Sequence, residues 1–228
     1  VSHVKEYDLR NHAGRIFFTS DIHGSFDLLN EKMVEVSFDT QRDLLFVGGD
    51  NVDRGPNSDW VLDYINEPWF ISVAGNHEEM FLSAYETGLP PEGYISRMLR
   101  VNGGEWVFQE TNGHLLDAVY ESFLGLPLAI ELILPNKRVG IIHAEVPYGD
   151  WARFKSCTGV ELEMNAQAIA QWARTKYDRK IQTAVKNIDE VYVGHTPTDA
   201  LTVETLGNVH YCDLGSFFSG KLSFVEIK

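Results

Sequence analysis

Cysteine is almost missing from this sequence: Cys157 and Cys212 are the only two in 228 residues. That excludes a disulfide scaffold, and their spacing excludes a zinc finger, so both thiols are expected to be reduced and packed. No apolar run approaches the ~18 residues that a membrane-spanning helix needs. The first residues, VSHVKEYDLRNHAGR, lack the apolar stretch of a secretory signal. A cytoplasmic protein with no membrane partner is the expectation. Positive charge is scarce too, since 19 Lys and Arg face 33 Asp and Glu for a formal net charge of -14. The far field of such a chain repels phosphate backbones, which argues against nucleic acid as a partner. It does not exclude a small anionic substrate, because bound divalent cations and a local arginine reverse the potential inside one cleft. Also absent are repeats, low-complexity tracts and Ser/Gly linkers. Residues 1–228 therefore read as a single domain, and 44% hydrophobic residues are enough for its core.

What is present is an alternation of short β-prone runs with stretches of helical spacing. Residues 16–20, 44–47 and 69–73 read as strands, and 25–36, 58–65 and 78–85 as the helices that follow them. That order predicts an α/β fold in which helices cover a sheet. Residues 87–124 are irregular, punctuated by GLPPEGY and NGGEW, with one helix near 115–124, and read as an insertion beside the core. The second half is richer in strands. A hairpin is expected from 129–134 and 138–142 about Pro135-Asn136-Lys137, then a helix over 165–177. Strands follow at 190–193, 201–205, 209–212 and 222–227.

Five of these strands should end on polar groups: Asp21-x-His23, Gly49-Asp50-x-x-Asp53-Arg54-Gly55, Gly75-Asn76-His77-Glu78, His143 and Gly194-His195. Singly, an Asp-x-His or a Gly-Asp is more often a turn or a strand-end cap than a ligand. Five in order, each after an apolar run, are a different matter, because the carboxyl ends of neighbouring strands converge on one crevice. Asp21 and His23, two apart on an extended segment, would point to one side and chelate one cation. Asp21, His23, Asp50, Asn76, His143 and His195 make six candidate ligands. That is more than one tetrahedral ion takes and enough for two divalent ions sharing a carboxylate, for which Asp50 is the choice. The mixture of carboxylate, imidazole and amide suits Mn, Fe or Zn, with Mn placed first, and carries too much imidazole for Mg or Ca.

The segments S-D-I-H-G, G-D-N-V-D-R-G, G-N-H-E, H-A-E and G-H-T-P resemble the phosphoprotein phosphatases of the calcineurin-like metallophosphoesterase superfamily, and within it the bacterial and phage lambda-type serine/threonine protein phosphatases. The likeness runs from about Ile16 to the C-terminus and takes in N-G-G-E-W, Q-W-A-R and Y-C-D-L-G. It implies a two-sheet β-sandwich flanked by helices, with the metals at one sheet edge. By that likeness Asp21, His23 and Asp50 hold one metal, and Asp50, Asn76, His143 and His195 the other. His77 is then the proton donor, Asp53 its orienting partner, and Arg54 and Arg174 bind the phosphoryl oxygens. Two positions depart from the pattern. Ala74 stands where Arg commonly precedes G-N-H-E, and Ser20 where Gly is usual; neither removes a ligand.

Phosphoester hydrolysis needs a nucleophile, charge neutralisation and a proton for the leaving oxygen. Two cations supply the first two by acidifying a bridging water and clamping the substrate, and Arg54 and Arg174 add bidentate hydrogen bonds. His77, beside a ligand but projecting differently, supplies the proton, with Asp53 orienting its ring. Glu78 and Glu145 are candidate carboxylates behind the ligands, while Trp106, Phe108, Phe217 and Phe218 read as core. The expected activity is hydrolysis of phosphoserine or phosphothreonine in a phosphoprotein or phosphopeptide. Hydrolysis of a dinucleoside polyphosphate or another small phosphoester is the alternative enzyme, and a catalytically silent metal-binding scaffold the alternative of another class.

Overall fold

The computed structural model describes residues 3–90 and 92–228. Its strands are β1 (Val4–Asp8), β2 (Ile16–Thr19), β3 (Leu44–Val47), β4 (Phe70–Ser72), β5 (Ala129–Ile133), β6 (Arg138–Ile142), β7 (Glu190–Val193), β8 (Glu204–Leu206), β9 (Val209–Tyr211) and β10 (Val225–Glu226). The α-helices are α1 (Phe26–Glu35), α2 (Leu62–Ile65), α3 (Asn76–Glu86), α4 (Tyr94–Val101), α5 (Trp106–Gln109), α6 (Gly113–Leu124), α7 (Trp151–Ser156), α8 (Gly159–Glu161), α9 (Gln167–Trp172), α10 (Thr175–Asp178) and α11 (Ser216–Ser219).

The strands form a six-stranded sheet ordered β1-β5-β6-β7-β9-β8 and a four-stranded sheet ordered β10-β2-β3-β4. Side chains alternate along each strand, so neighbouring residues serve different cores. Phe18, Phe46, Ile130 and Ile141 join Tyr192 and Cys212 in an apolar layer built from both sheets. Phe17, Leu45 and Val47 point the other way, toward α1, α3 and α6, where Phe26, Leu29, Phe81 and Phe123 are buried. Ala129, Ile142, Val191 and Val193 face Trp151, Phe154 and Ala170 of α7 and α9. The result is the expected α/β sandwich with helices outside.

The strand order sets where the polar loops fall. β2, β3 and β4 are parallel neighbours, as are β6, β7 and β9. Their carboxyl ends therefore open on a common edge, and the loops after them meet there. Main-chain bonds hold the loops in register: Asp21 N donates to Gly49 O at 3.1 Å, His23 N to Asp50 O at 2.9 Å, and Gly194 N to His143 O at 2.9 Å.

Several sequence expectations are corrected. The N-terminal strand β1 had no reading in the sequence; it pairs parallel with β5 at the sheet edge. The insertion carries α4 and α5 besides the expected α6, and Trp106 of α5 stacks on Phe81 with centroids 6.1 Å apart. The single helix expected over 165–177 is broken after Trp172, because Ala173 turns extended (ψ 144°) and the chain restarts at Thr175. The strand expected over 201–205 lies later, at β8, and that over 222–227 is strand only at Val225 and Glu226, with Ile227 N donating to Ile16 O just beyond. Cys157 and Cys212 are buried and unpaired. Among the described residues no helix is long and apolar enough to cross a membrane.

Candidate metal centre

The first polar loop does not run extended as the Asp-x-His spacing suggested. Asp21 and His23 sit at φ 49° and 47°, in the left-handed region, where the chain turns over the loop that follows β3. Asp50, Asp53, Arg54 and His195 are left-handed as well. Such conformations cost about 1–2 kcal/mol each for residues other than glycine. They persist here because the surrounding hydrogen bonds over-determine them, and such strain gathers at functional sites. Close backbone approach does the rest. A Cβ on Gly75 would stand 2.2 Å from Asp50 Oδ1, and one on Gly194 would stand 1.9 Å from Asp21 Oδ2.

Five of the six candidate ligands converge, and each imidazole has its tautomer set from behind. His23 Nδ1–H donates to Val52 O (2.9 Å), His143 Nδ1–H to Gly48 O (2.6 Å) and His195 Nε2–H to Trp172 O (3.1 Å). The remaining lone pairs face inward. His143 Nε2 lies 2.9 Å and His195 Nδ1 3.0 Å from Asn76 Oδ1, and His143 Nε2 lies 3.4 Å from Asp50 Oδ2. His23 Nε2 is 3.7 Å from the same Asp50 oxygen. Imidazole nitrogens, a carboxylate and an amide oxygen buried together at these distances call for positive charge between them, a proton or a metal ion. Two groupings meet that description, His23 with Asp50 and His77, and Asp50 with His143 and His195. Asp50 belongs to both.

Asp21 stands slightly apart. Its carboxylate accepts from His195 N at 3.0 and 2.9 Å and from the Ser20 hydroxyl, the side chain at the first departure from the family pattern. The protonation balance reports the same surplus of buried negative charge. Burial pushes the Asp21 carboxyl well up, helped by the charge of Asp213. Burial opposes a charged His143, yet the Asp50 carboxylate outweighs it and lifts that imidazole to about 10. Burial lowers His23 and His195 to about 3. A proton on His143 thus occupies the place a metal would take.

The other sequence candidates are placed as follows. His77 Nδ1–H donates to Asp53 Oδ2 at 2.7 Å, both side chains fully buried, and His77 Nε2 faces the centre 3.9 Å from Asp50 Oδ2 without a hydrogen-bond partner. Arg54 is exposed at the rim and donates from Nη1 to His23 Nε2 at 3.1 Å. Arg174 is exposed in the break between α9 and α10, where its charge helps to lower His195. Ala74, the second departure, is held through its backbone, its N–H donating to Pro127 O and its carbonyl accepting from Gln171 Nε2. Glu145 accepts from Lys176 N at 2.5 Å and so supports the restart of the chain at α10.

Glu78 is a buried anchor and not a solvated helix-end residue. Its carboxylate accepts from the main-chain N–H groups of Asp50 (2.9 Å), Asn51 (2.7 Å) and Gly75 (2.7 Å), and from Asn51 Nδ2 (3.0 Å). Glu78→Gln turns one accepting oxygen into a donor and strands up to two buried N–H groups, at about 1–3 kcal/mol each. Thermal melting should show Tm lower by at least ~4 °C; an unchanged melt would show that this carboxylate does not hold the two loops.

Two contributors had no role in the sequence reading. Asp213, after β9, makes a sixth strand that ends on a polar group; it accepts from Gly215 N at 2.7 Å, and burial pushes it up to about 6. The signal was there, an acid closing an apolar run as at Asp21 and Asp50. Trp106 was read as core, yet its Nε1–H donates to Asp53 Oδ1 at 2.7 Å, behind the oxygen pair that holds His77. Phe217 and Phe218 were also read as core; they are 41% and 57% exposed. Their helix is too short to turn both rings inward, and Gly215 and Gly220 bound it with left-handed turns.

The family model described as calcineurin-like phosphoesterase matches residues 14–205. The chain is 35% identical over 223 residues to serine/threonine-protein phosphatase 2 of Escherichia coli (strain K12), covering 96% of this chain and 95% of that protein. A shorter stretch of 71 residues is 41% identical to a symmetrical bis(5'-nucleosyl)-tetraphosphatase of Serratia proteamaculans, covering 30% of this chain and 25% of that protein. In fold, a protein serine/threonine phosphatase of Saccharomyces cerevisiae superposes with a TM-score of 0.58 at 16% identity, over 92% of this chain and 70% of that one. With strand-end acids, imidazoles and an amide gathered on one sheet edge, and with that family match over most of its length, the chain belongs to the calcineurin-like phosphoesterases.

Proposed function

We propose that this chain is a metal-dependent phosphomonoesterase acting on phosphoserine and phosphothreonine in proteins. Asp21, His23, Asp50, Asn76, His143 and His195 are its proposed ligands. The observation that carries the reading is the meeting of His143 Nε2, His195 Nδ1, Asn76 Oδ1 and Asp50 Oδ2, a set of groups suited to a divalent cation, beside an imidazole whose far nitrogen is held by Asp53. Divalent ions bound there would neutralise charge on the phosphoryl oxygens and acidify the attacking water. The residues supply the rest. His77, oriented through Nδ1, offers a proton from Nε2 to the leaving oxygen. Arg54 now spends a hydrogen bond on His23 Nε2; once that lone pair serves a metal, the guanidinium is free for two phosphoryl oxygens. Arg174 would close on the same group from the opposite rim. Manganese is the metal we expect, with iron and zinc as the competitors for a site of this composition. The shared apolar layer between the two sheets supports treating 1–228 as one domain, and the unpaired thiols fit a reducing cytoplasm.

The decisive experiment compares kcat/KM on phosphoserine and phosphothreonine peptides with that on a dinucleoside tetraphosphate, after chelation and re-addition of Mn, Fe or Zn singly. Phosphopeptides should be preferred by at least tenfold. The reverse order would favour the dinucleoside reading, for which the 71-residue match is the specific support. No hydrolysis of any phosphomonoester with any metal would leave a silent scaffold.

Metal loading should also release protons. His143, lifted to about 10, carries a proton in the metal-free protein at neutral pH and must lose it to ligate. The sign follows: apparent metal affinity weakens as pH falls. Calorimetric titration in buffers of different ionisation enthalpy should report release of at least about one proton per chain near pH 7. No buffer dependence would contradict the ligand role of His143.

A further inference from the structure

We propose that Phe217 is a specificity-determining residue that packs against an aromatic leaving group and so extends the site from phosphoserine and phosphothreonine to aryl phosphate esters, such as a phosphotyrosine side chain. The inference rests on the function proposed above. Phe217 is 41% exposed at the rim of the centre, where a substrate ring can cover it. It is held in place. Its helix α11 is pinned to the first metal loop by Ser216 Oγ–H, which is shared between Asp21 O (2.5 Å) and Ile22 O (3.0 Å). The ring stands edge-on to His23, with centroids 5.5 Å apart at 81°, and the Arg54 guanidinium lies 5.1 Å from its centroid. Phe218 backs it at 5.1 Å.

Position relative to the acid decides what this ring can meet. His77 packs against His23 with ring centroids 4.7 Å apart, so the proton donor, His23 and Phe217 follow one another along one side of the centre. The leaving oxygen must come within reach of His77, and a substituent that runs from there past His23 to solvent would meet Phe217. The exposed Trp172 lies at His195, 6.4 Å between centroids, and so flanks the other metal grouping, away from the acid. A serine leaving group ends at its oxygen and a short methylene, offering Phe217 little to cover. A tyrosine ring presents a flat face of matching size, and aromatic pairs gain free energy beyond the area they bury.

The test is a ratio of ratios in the metal-loaded full chain: kcat/KM on a phosphotyrosine peptide over that on a phosphoserine peptide of the same sequence, variant against wild type. The same is done with phenyl phosphate over glycerol 2-phosphate. Comparing variant with wild type cancels the intrinsic difference between leaving groups. Phe217→Ala should lower both ratios by roughly 3- to 10-fold, and Phe217→Leu, which keeps apolar bulk over Arg54, should lower them similarly. Phe217→Trp should hold them near wild type, and this variant also guards against a change that merely unfolds α11. If Ala and Leu depress aryl and alkyl substrates in equal proportion, or change neither, Phe217 only supports Arg54 and the proposal is overturned. If the wild type cleaves neither peptide, the protein-phosphatase reading fails, while the small esters still decide the role of Phe217.

Discussion

Asp50→Asn is expected to abolish metal-dependent hydrolysis, lowering kcat/KM by about 10³-fold or more, and to leave the purified protein with little bound metal. Asp50 is the side chain common to both groupings, with Oδ2 at 3.4 Å from His143 Nε2 and 3.7 Å from His23 Nε2. Replacing that oxygen with an amide removes a formal charge from the point where two cations would meet. Lewis-acid stabilisation is worth several kcal/mol, and each 1.36 kcal/mol is a factor of ten in rate. The fold should survive. Asp50 Oδ1 accepts from His77 N at 3.0 Å, and the amide oxygen of Asn can take over that bond. With the carboxylate gone, the main influence lifting His143 is gone too, and the metal-free variant should hold a neutral His143 near pH 7. Metal analysis by mass spectrometry alongside steady-state kinetics checks both halves. Full metal content in Asp50→Asn would sink the bridging assignment even if activity were lost.

His77→Asn should separate chemistry from metal binding. The wild-type imidazole is fully buried, tied by Nδ1 to Asp53, and Asp53 is in turn tied by Oδ1 to Trp106. Only Nε2 is free to face a substrate. Metal content should stay at the wild-type level, while kcat on phosphoserine peptides falls by roughly 10²–10⁴-fold, the usual worth of a positioned general acid. The loss should shrink on nitrophenyl phosphate, whose leaving oxygen needs no proton. A plot of log kcat against leaving-group pKa should therefore steepen in the variant. An unchanged slope would remove His77 as the acid, and a parallel loss of metal would show that it acts as a ligand, as its inclusion with His23 and Asp50 within ligand distance allows.

How much of this was legible beforehand varies by residue. β3 is an uninterrupted apolar run of four residues, and the hairpin of β5 and β6 turns on Pro135-Asn136-Lys137; both fall within a residue of their expected bounds because local pattern and burial agree. The helix expected over 165–177 failed because its break has no local cause. Nothing in Q-A-I-A-Q-W-A-R announces that the Trp172 carbonyl will be drawn to His195, 23 residues on, or that Lys176 N will turn to Glu145. The same holds for the left-handed turns at Asp21 and His23. Spacing alone suggested an extended chelate, and only the loop after β3, crossing beneath, makes the turn worth its strain.

The order and chemistry of the strand-end residues belong to the sequence: which side chains can accept from a cation, and that they recur after apolar runs, is fixed by residue type and local period. Their mutual distances belong to the tertiary structure. Parallel pairing of β2 with β3 and β4, and of β6 with β7 and β9, gathers their ends on one edge and brings His195 to Asp21, 174 residues away in sequence. That pairing also decided which aromatic residues were core. Trp106 was carried to Asp53 by the packing of α5 on Phe81, and Phe217 was left at the rim beside Arg54. Hydrophobicity says that a ring prefers burial; only the final geometry says which ring is denied it.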